Sequence, residues 1–167
     1  MYDTVISFVQ THEAWGTPLV FVLAFGESLA FVSLLLPATA ILLGIGGLVG
    51  ASGIAFWPLW LAAAFGAALG DWVSFALGLY FKGPITRVWP LSRHPRMVER
   101  GEAFFRRWGV AGIFLGRFFG PLRCIVPLIA GISDMPRLPF QLANFASAFI
   151  WAAGALAPGV IGVRWLL

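Results

Sequence analysis

Apolar blocks separated by short polar breaks run the whole length of the chain. Residues 2–14 set Tyr2, Val5, Ile6 and Val9 at helical spacing with Asp3, Gln10 and His12 at polar positions, which predicts a short interfacial helix. Residues 18–50 are apolar but interrupted by Glu27, Pro37 and several glycines. This block is longer than the ~20 residues one span needs and too short for two spans and a turn. It predicts two half-membrane helices meeting near Pro37, a first re-entrant hairpin; one tilted, kinked span is the competing reading. Residues 57–81 form a clean spanning pattern, with Trp57 and Trp60 at one end, Tyr80 at the other and Asp71 well inside. Residues 82–108 are a basic loop. Its second half places Met97, Gly101, Phe104, Phe105 and Trp108 on one face and Arg96, Arg100, Glu102, Arg106 and Arg107 largely off it, the pattern of an amphipathic helix on an anionic leaflet. A second hairpin is expected over 109–133, a turn through Asp134–Pro139, and a last span over 140–163 containing Asn144, Trp151 and Pro158.

The second hairpin carries the most unusual chemistry. Arg117, Pro121, Arg123 and Pro127 lie in a run that is otherwise as apolar as a membrane span. A charged side chain at membrane depth costs at least ~2.5–3.5 kcal/mol on insertion scales, so two of them require a partner or a task. Each proline removes a backbone donor and argues against a continuous helix. On an unbroken helix the two arginines would stand about 120° apart. A break at Gly120–Pro121 is what turns both guanidinium groups toward one cavity, as an anion site would require. Such irregular backbone survives at membrane depth only where protein or a wet cavity surrounds it.

Glu27 precedes Pro37 by the same interval as Arg117 precedes Pro127, and each hairpin is followed by a span. With the basic loop inside, the halves would be inverted copies, the layout of many secondary transporters.

Composition fixes the class. The 167 residues are 60% hydrophobic and 11% charged, against about 25% charged in soluble domains, so the chain reads as one integral membrane domain. Its net charge of +4 does not imply nucleic acid. Lys82, Arg87, Arg93, Arg96, Arg100, Arg106 and Arg107 account for seven of the eleven basic residues, and that clustering places 82–108 in the cytoplasm by the positive-inside rule. Cys124 stands alone and forms no intrachain disulfide. Asp3 and Glu13, with no basic residue before the first apolar run, do not make the n-region of a cleavable signal, so the start is expected to be retained. His12 and His94 lie in terminal and loop regions with no paired nucleophile. No catalytic group, metal site or cofactor is expected, and the chain is not read as an enzyme.

The chain also resembles the DedA family, whose shared region is called the SNARE-associated or VTT domain. The resemblance rests on Glu27 with Pro37, on Gly70-Asp71 with Gly78 and Gly83, and on the string Gly116-Arg117-Phe118, Pro121, Arg123, Pro127, Ala130-Gly131 and Met135. Phe140, Asn144 and Trp151 complete it, and it covers about residues 20 to 155. The resemblance implies a bacterial-type inner membrane and traffic in lipids: a flippase or scramblase for undecaprenyl phosphate or a phospholipid such as phosphatidylethanolamine, often linked to the proton motive force. It implies an acidic pair in the first hairpin and an arginine pair in the second. Glu27 carries over as the first acid, and Arg117 and Arg123 as the arginines. The second acid does not carry over, because Pro37-Ala38-Thr39 stands where the family commonly has Pro-Gly-Asp or Pro-Gly-Glu. That leaves proton coupling to Glu27 and Asp71, or points to a different substrate. The C-terminus is shorter than the family leads one to expect, which would omit a final helix.

Planar guanidinium forks match phosphate oxygens bidentately, which makes Arg117 and Arg123 the candidate lipid-phosphate site. Glu27 is the expected partner of both when the site is empty, and Asp71 is either a proton relay or the holder of a hairpin end. The bland alternative has two acids and two bases neutralising each other. Pro37, Pro121, Pro127 and Gly131 are assigned to the hairpin breaks, and Asn144 to tying helices together. Membrane lipids and protons are the expected partners, homo-oligomerisation stays open, and no nucleic acid is expected. A proton-coupled exporter of small molecules and a non-transporting structural membrane protein remain as alternatives.

Overall fold

The computed structural model describes residues 13–29, 38–52, 55–82, 87, 92, 95–118 and 123–166. Among them the chain is all helical, with seven helices and no strand. They are α1 (Glu13–Ser28), α2 (Ala38–Ser52), α3 (Phe56–Tyr80), α4 (Pro95–Trp108), α5 (Val110–Gly116), α6 (Val126–Ile132) and α7 (Arg137–Leu166). His12, His94, Pro37 and Pro121 lie outside the described residues.

Two helices are long and apolar enough to cross a membrane, Phe56–Tyr80 and Arg137–Gly162. At 1.5 Å per residue they measure about 37 and 39 Å. The first matches the expected span at 57–81. The second starts earlier than the expected residue 140 and continues to Leu166. The difference at its start has a simple cause: Pro139 falls in the first turn, where the backbone N–H groups have no intrahelical acceptor and a proline costs little. Along α7 two stripes separate cleanly. Leu138, Leu142, Ile150 and Ile161 are exposed, whereas Phe140, Asn144, Ser147, Ala148, Trp151, Ala152, Ala155 and Leu156 are buried.

The apolar block 18–50 resolves into α1 and α2, each shorter than a full span. The helix begins at Glu13 rather than at residue 18, because Pro18 removes one early backbone bond without ending it. In the second half, Pro127 sits in the first turn of α6 and starts that helix instead of interrupting one.

The contacts fix the helix directions. Gly16 faces Leu59, Gly66 faces Phe21 and Phe25, and Gly70 faces Phe25 and Ser28, so α1 runs parallel to α3. Trp60 pairs with Phe149, Phe65 with Phe145, Phe75 with Phe140 and Tyr80 with Arg137, so α7 runs antiparallel to α3. Gly46 and Gly50 abut Leu156 and Val160, which sets α2 parallel to α7 and therefore opposite to α1. α1 and α2 thus form a hairpin. α5 and α6 form another: Gly116 abuts Val126, and Val110 and Ile132, at their outer ends, line one cavity of about 560 Å³ with Met135 and Pro139, while Arg117 reaches Asn144 of α7.

Small residues make these crossings close. A Cβ on Gly131 would stand 2.1 Å from the carbonyl oxygen of Phe75, and one on Gly78 would stand 2.1 Å from that of Leu128. No side chain fits between α3 and α6 at that separation, as expected where helices associate by backbone approach.

The amphipathic helix α4 requires a correction. The face that the sequence assigns to a leaflet is partly taken up by protein. Gly101 rests on the side chain of Ile129, and Phe105 is buried in a cluster with Ile113, Ile125, Ile129 and Met135. Trp108 remains exposed beside Arg107.

Candidate functional site

Among the described residues two large apolar clusters fill the interior, with a small third one around Leu128. One joins α1, α2, α3 and α7 around Ala63, Ala67, Ala152 and Leu156; the other joins α3, α4, α5, α6 and α7 around Phe75, Ile129 and Phe140. Between them lies a layer of buried polar groups: Glu27, Ser28, Asp71, Ser74, Arg117, Asn144 and Ser147.

Each group arrives on a different element. Glu27 is at the C-terminal end of α1, and the hydroxyl of Ser74 docks that end by donating to the carbonyl of Ser28 at 3.2 Å. Asp71 lies one turn before Ser74 on α3, on the same face. Arg117 follows the last residue of α5, and Arg123 precedes α6 in a short turn. The first hairpin therefore reaches the layer from the N-terminal end of α3, the second from its C-terminal end.

Two ion pairs result. Arg117 pairs with Asp71, and Arg123 pairs with Glu27. Glu27 thus does not serve both arginines, as the sequence alone suggested. Asp71 takes Arg117, because the end of α5 comes down beside the middle of α3. Arg117 Nη2 also donates to Asn144 Oδ1 at 2.7 Å, while Asn144 Nδ2 donates to the carbonyl of Ala68 at 2.9 Å. Asn144 therefore ties α7 to α3 and holds the guanidinium at once. Arg123 is seated differently: its Cζ lies 4.6 Å from the ring centroid of Trp151.

Asn144 and Trp151 stand two turns apart on α7, about 10 Å along its axis and within about 20° around it. Both arginines therefore address one face of one helix. Arg117, Arg123, Glu27, Asp71 and Asn144 meet in this layer. Pro127 and Gly131 stand behind it, Pro127 starting α6 and Gly131 setting its distance from α3. Thr39 lies in the first turn of α2. The roles of Ser74 and Trp151 were not assigned from sequence. Ser74 was signalled only by its spacing from Asp71, whereas Trp151 was signalled by its place in the family resemblance and by its helical interval from Asn144 and Ser147.

A helical membrane domain agrees with what comparison shows. The family model described as the VTT domain matches residues 36–160. The chain belongs to the VTT-domain, or DedA, family. It is 35% identical over 154 residues to inner membrane protein YabI of Escherichia coli K12, covering 92% of this chain and 61% of that protein. It is 29% identical over 161 residues to the membrane protein BU139 of Buchnera aphidicola from Acyrthosiphon pisum, covering 96% and 63%. Inner membrane protein YghB of Escherichia coli K12 is 29% identical over 119 residues, covering 71% of this chain and 54% of that protein. The chain spans about three fifths of the length of the first two. No solved structure matches it. This VTT-domain chain is an integral membrane protein, as its spans and the names of its relatives agree.

Proposed function

We propose that this VTT-domain chain moves a phosphate-bearing membrane lipid, a polyprenyl phosphate or a phospholipid, across the bilayer, with Arg117 and Arg123 as the phosphate-facing cations. One observation carries the reading: the end of α1 and the residues that follow α5 and precede α6 approach from opposite ends of α3 and meet beside it, an acid on one side and two arginines on the other. Ser28, the last residue of α1, bonds Ser74 and leaves about 9 Å of α3 beyond the end of that helix. That stop supports a re-entrant hairpin over α1–α2, and the matching approach of α5–α6 supports a second. The antiparallel run of α3 and α7 supports reading the halves as inverted copies. The basic segment 82–108 faces the cytoplasm in this arrangement.

The charges suggest how the site works. Glu27 and Asp71 balance Arg117 and Arg123, so the empty layer is formally neutral. An anionic phosphate entering it leaves one negative charge too many, at a depth where unbalanced charge is costly. A proton on Glu27, or its displacement by the phosphate, restores balance and frees Arg123 for bidentate contact. Lipid binding and proton uptake are then coupled through Glu27 without an acid at position 39.

The same balance is also what a structural ion-pair layer would have, and this is the second reading. Translocation in proteoliposomes separates them, comparing a polyprenyl phosphate with phosphatidylethanolamine, with and without a proton gradient. We expect movement of one of these lipids by the parent protein and its loss in folded Arg123→Ala and Arg123→Lys variants, since Lys supplies charge without the fork. Activity retained in Arg123→Lys favours the structural role. No movement above empty liposomes rejects lipid transport and favours an exporter or a structural protein.

A further inference from the structure

We infer that Trp151 is a positioning residue for Arg123: its indole face holds the guanidinium in place while leaving the N–H edges for a lipid phosphate. The inference rests on Arg123 being a phosphate-facing group.

Among the described residues three arginines lie over aromatic rings, and they differ in kind. Arg107 over Trp108 and Arg137 over Tyr80 are each 5.8 Å from the centroid, and those rings are exposed. Arg123 is closer, at 4.6 Å, and Trp151 is buried. A cation over a ring gains more where water is excluded, and Trp offers the strongest face of the aromatic side chains.

The geometry of a guanidinium explains why a ring suits this position. Its five N–H donors point outward in one plane, so a carboxylate or an amide oxygen consumes edge positions. An aromatic face contacts the flat side and consumes none. Arg117 gives edge donors to Asp71 and Asn144. Among the described residues Arg123 meets the carboxylate of Glu27 and the ring of Trp151, and its side chain keeps 13% exposure against 7% for Arg117. When Glu27 is protonated or displaced, Arg123 still has a support that neither competes with phosphate nor requires rehydration. The donor array is then in place before the ligand arrives, which lowers the ordering cost of binding.

The ring face can be weakened without changing its size. Site-specific replacement of Trp151 by mono-, di- and trifluorotryptophan withdraws electron density from the ring. Binding of farnesyl phosphate to the purified protein in detergent is measured by calorimetry, with farnesol as the uncharged control. Affinity for farnesyl phosphate is expected to fall stepwise with each fluorine, roughly twofold to thirtyfold across the series, while the protein stays folded at the assay temperature. Trp151→Leu is expected to match or exceed the trifluoro loss. Equal affinity across the fluorinated series, beside clear binding by the parent, overturns the inference and leaves Trp151 as packing. A parent that binds farnesyl phosphate no better than farnesol overturns the phosphate site itself, and this inference with it. Stepwise loss of binding without lipid movement in proteoliposomes supports Trp151 and rejects transport alone.

Discussion

The two ion pairs of the central layer have the same chemistry and different surroundings. Arg117 and Asp71 are fixed from several sides: Asn144 accepts from the guanidinium, donates to the backbone of α3 and belongs to α7. Arg123 and Glu27 connect the turn before α6 to the end of α1, and among the described residues Arg123 also rests on an aromatic face. The first pair holds three elements in register. The second joins the end of α1 to the turn before α6, with Arg123 resting on Trp151 of α7. What a buried pair does is decided by its next contacts, more than by the charges themselves.

The sharpest way to break that comparison is to remove one acid at a time. Asp71→Ala strands Arg117 in an apolar interior, and about 3–5 kcal/mol of stability is expected to be lost. Glu27→Ala should cost clearly less, because Arg123 keeps Trp151 and more access to water. Unfolding in a mild detergent measures both; equal losses would erase the distinction between the pairs. A smaller effect is expected for Asn144→Ala, about 1–3 kcal/mol, since it removes the second acceptor of Arg117 and leaves the carbonyl of Ala68 without that donor. Binding at Arg123 should survive in this variant, and its loss would mean that the two nodes are one.

The smallest change in stability belongs to Glu27→Gln, which keeps shape and removes charge. Its signature is in pH. If an anion enters with a proton on Glu27, parent affinity rises as pH falls, and the Gln variant binds with little pH dependence. Dihexanoylphosphatidylglycerol suits this test, because its charge stays constant near neutrality. A variant whose pH profile follows the parent's would remove Glu27 from proton coupling and turn attention to Asp71.

Much of this arrangement could be read from the chain. The apolar length of 57–81, the isolated charges Glu27, Asp71, Arg117 and Arg123, and the prolines and glycines among them are local properties, and each has a local physical consequence. Helix ends were harder to place. Pro127 and Pro139 both read as breaks, yet each falls in the first turn of a helix, a distinction that depends on where neighbouring residues start the helix. The face of α4 was legible as apolar, but a sequence carries no mark saying whether lipid or Ile129 will cover it.

The sequence by itself determined that this protein is helical, belongs in a membrane and must bury charges that need partners, because hydropathy and the cost of an unpaired ion act wherever those residues lie. Only the tertiary structure decided the pairing. Which acid meets which arginine depends on the crossing of α3 with the hairpin ends, on glycines that allow backbones within a side chain's breadth, and on Asn144 and Trp151 standing two turns apart on one face of α7. Such distances join residues far apart in the chain, and packing alone sets them.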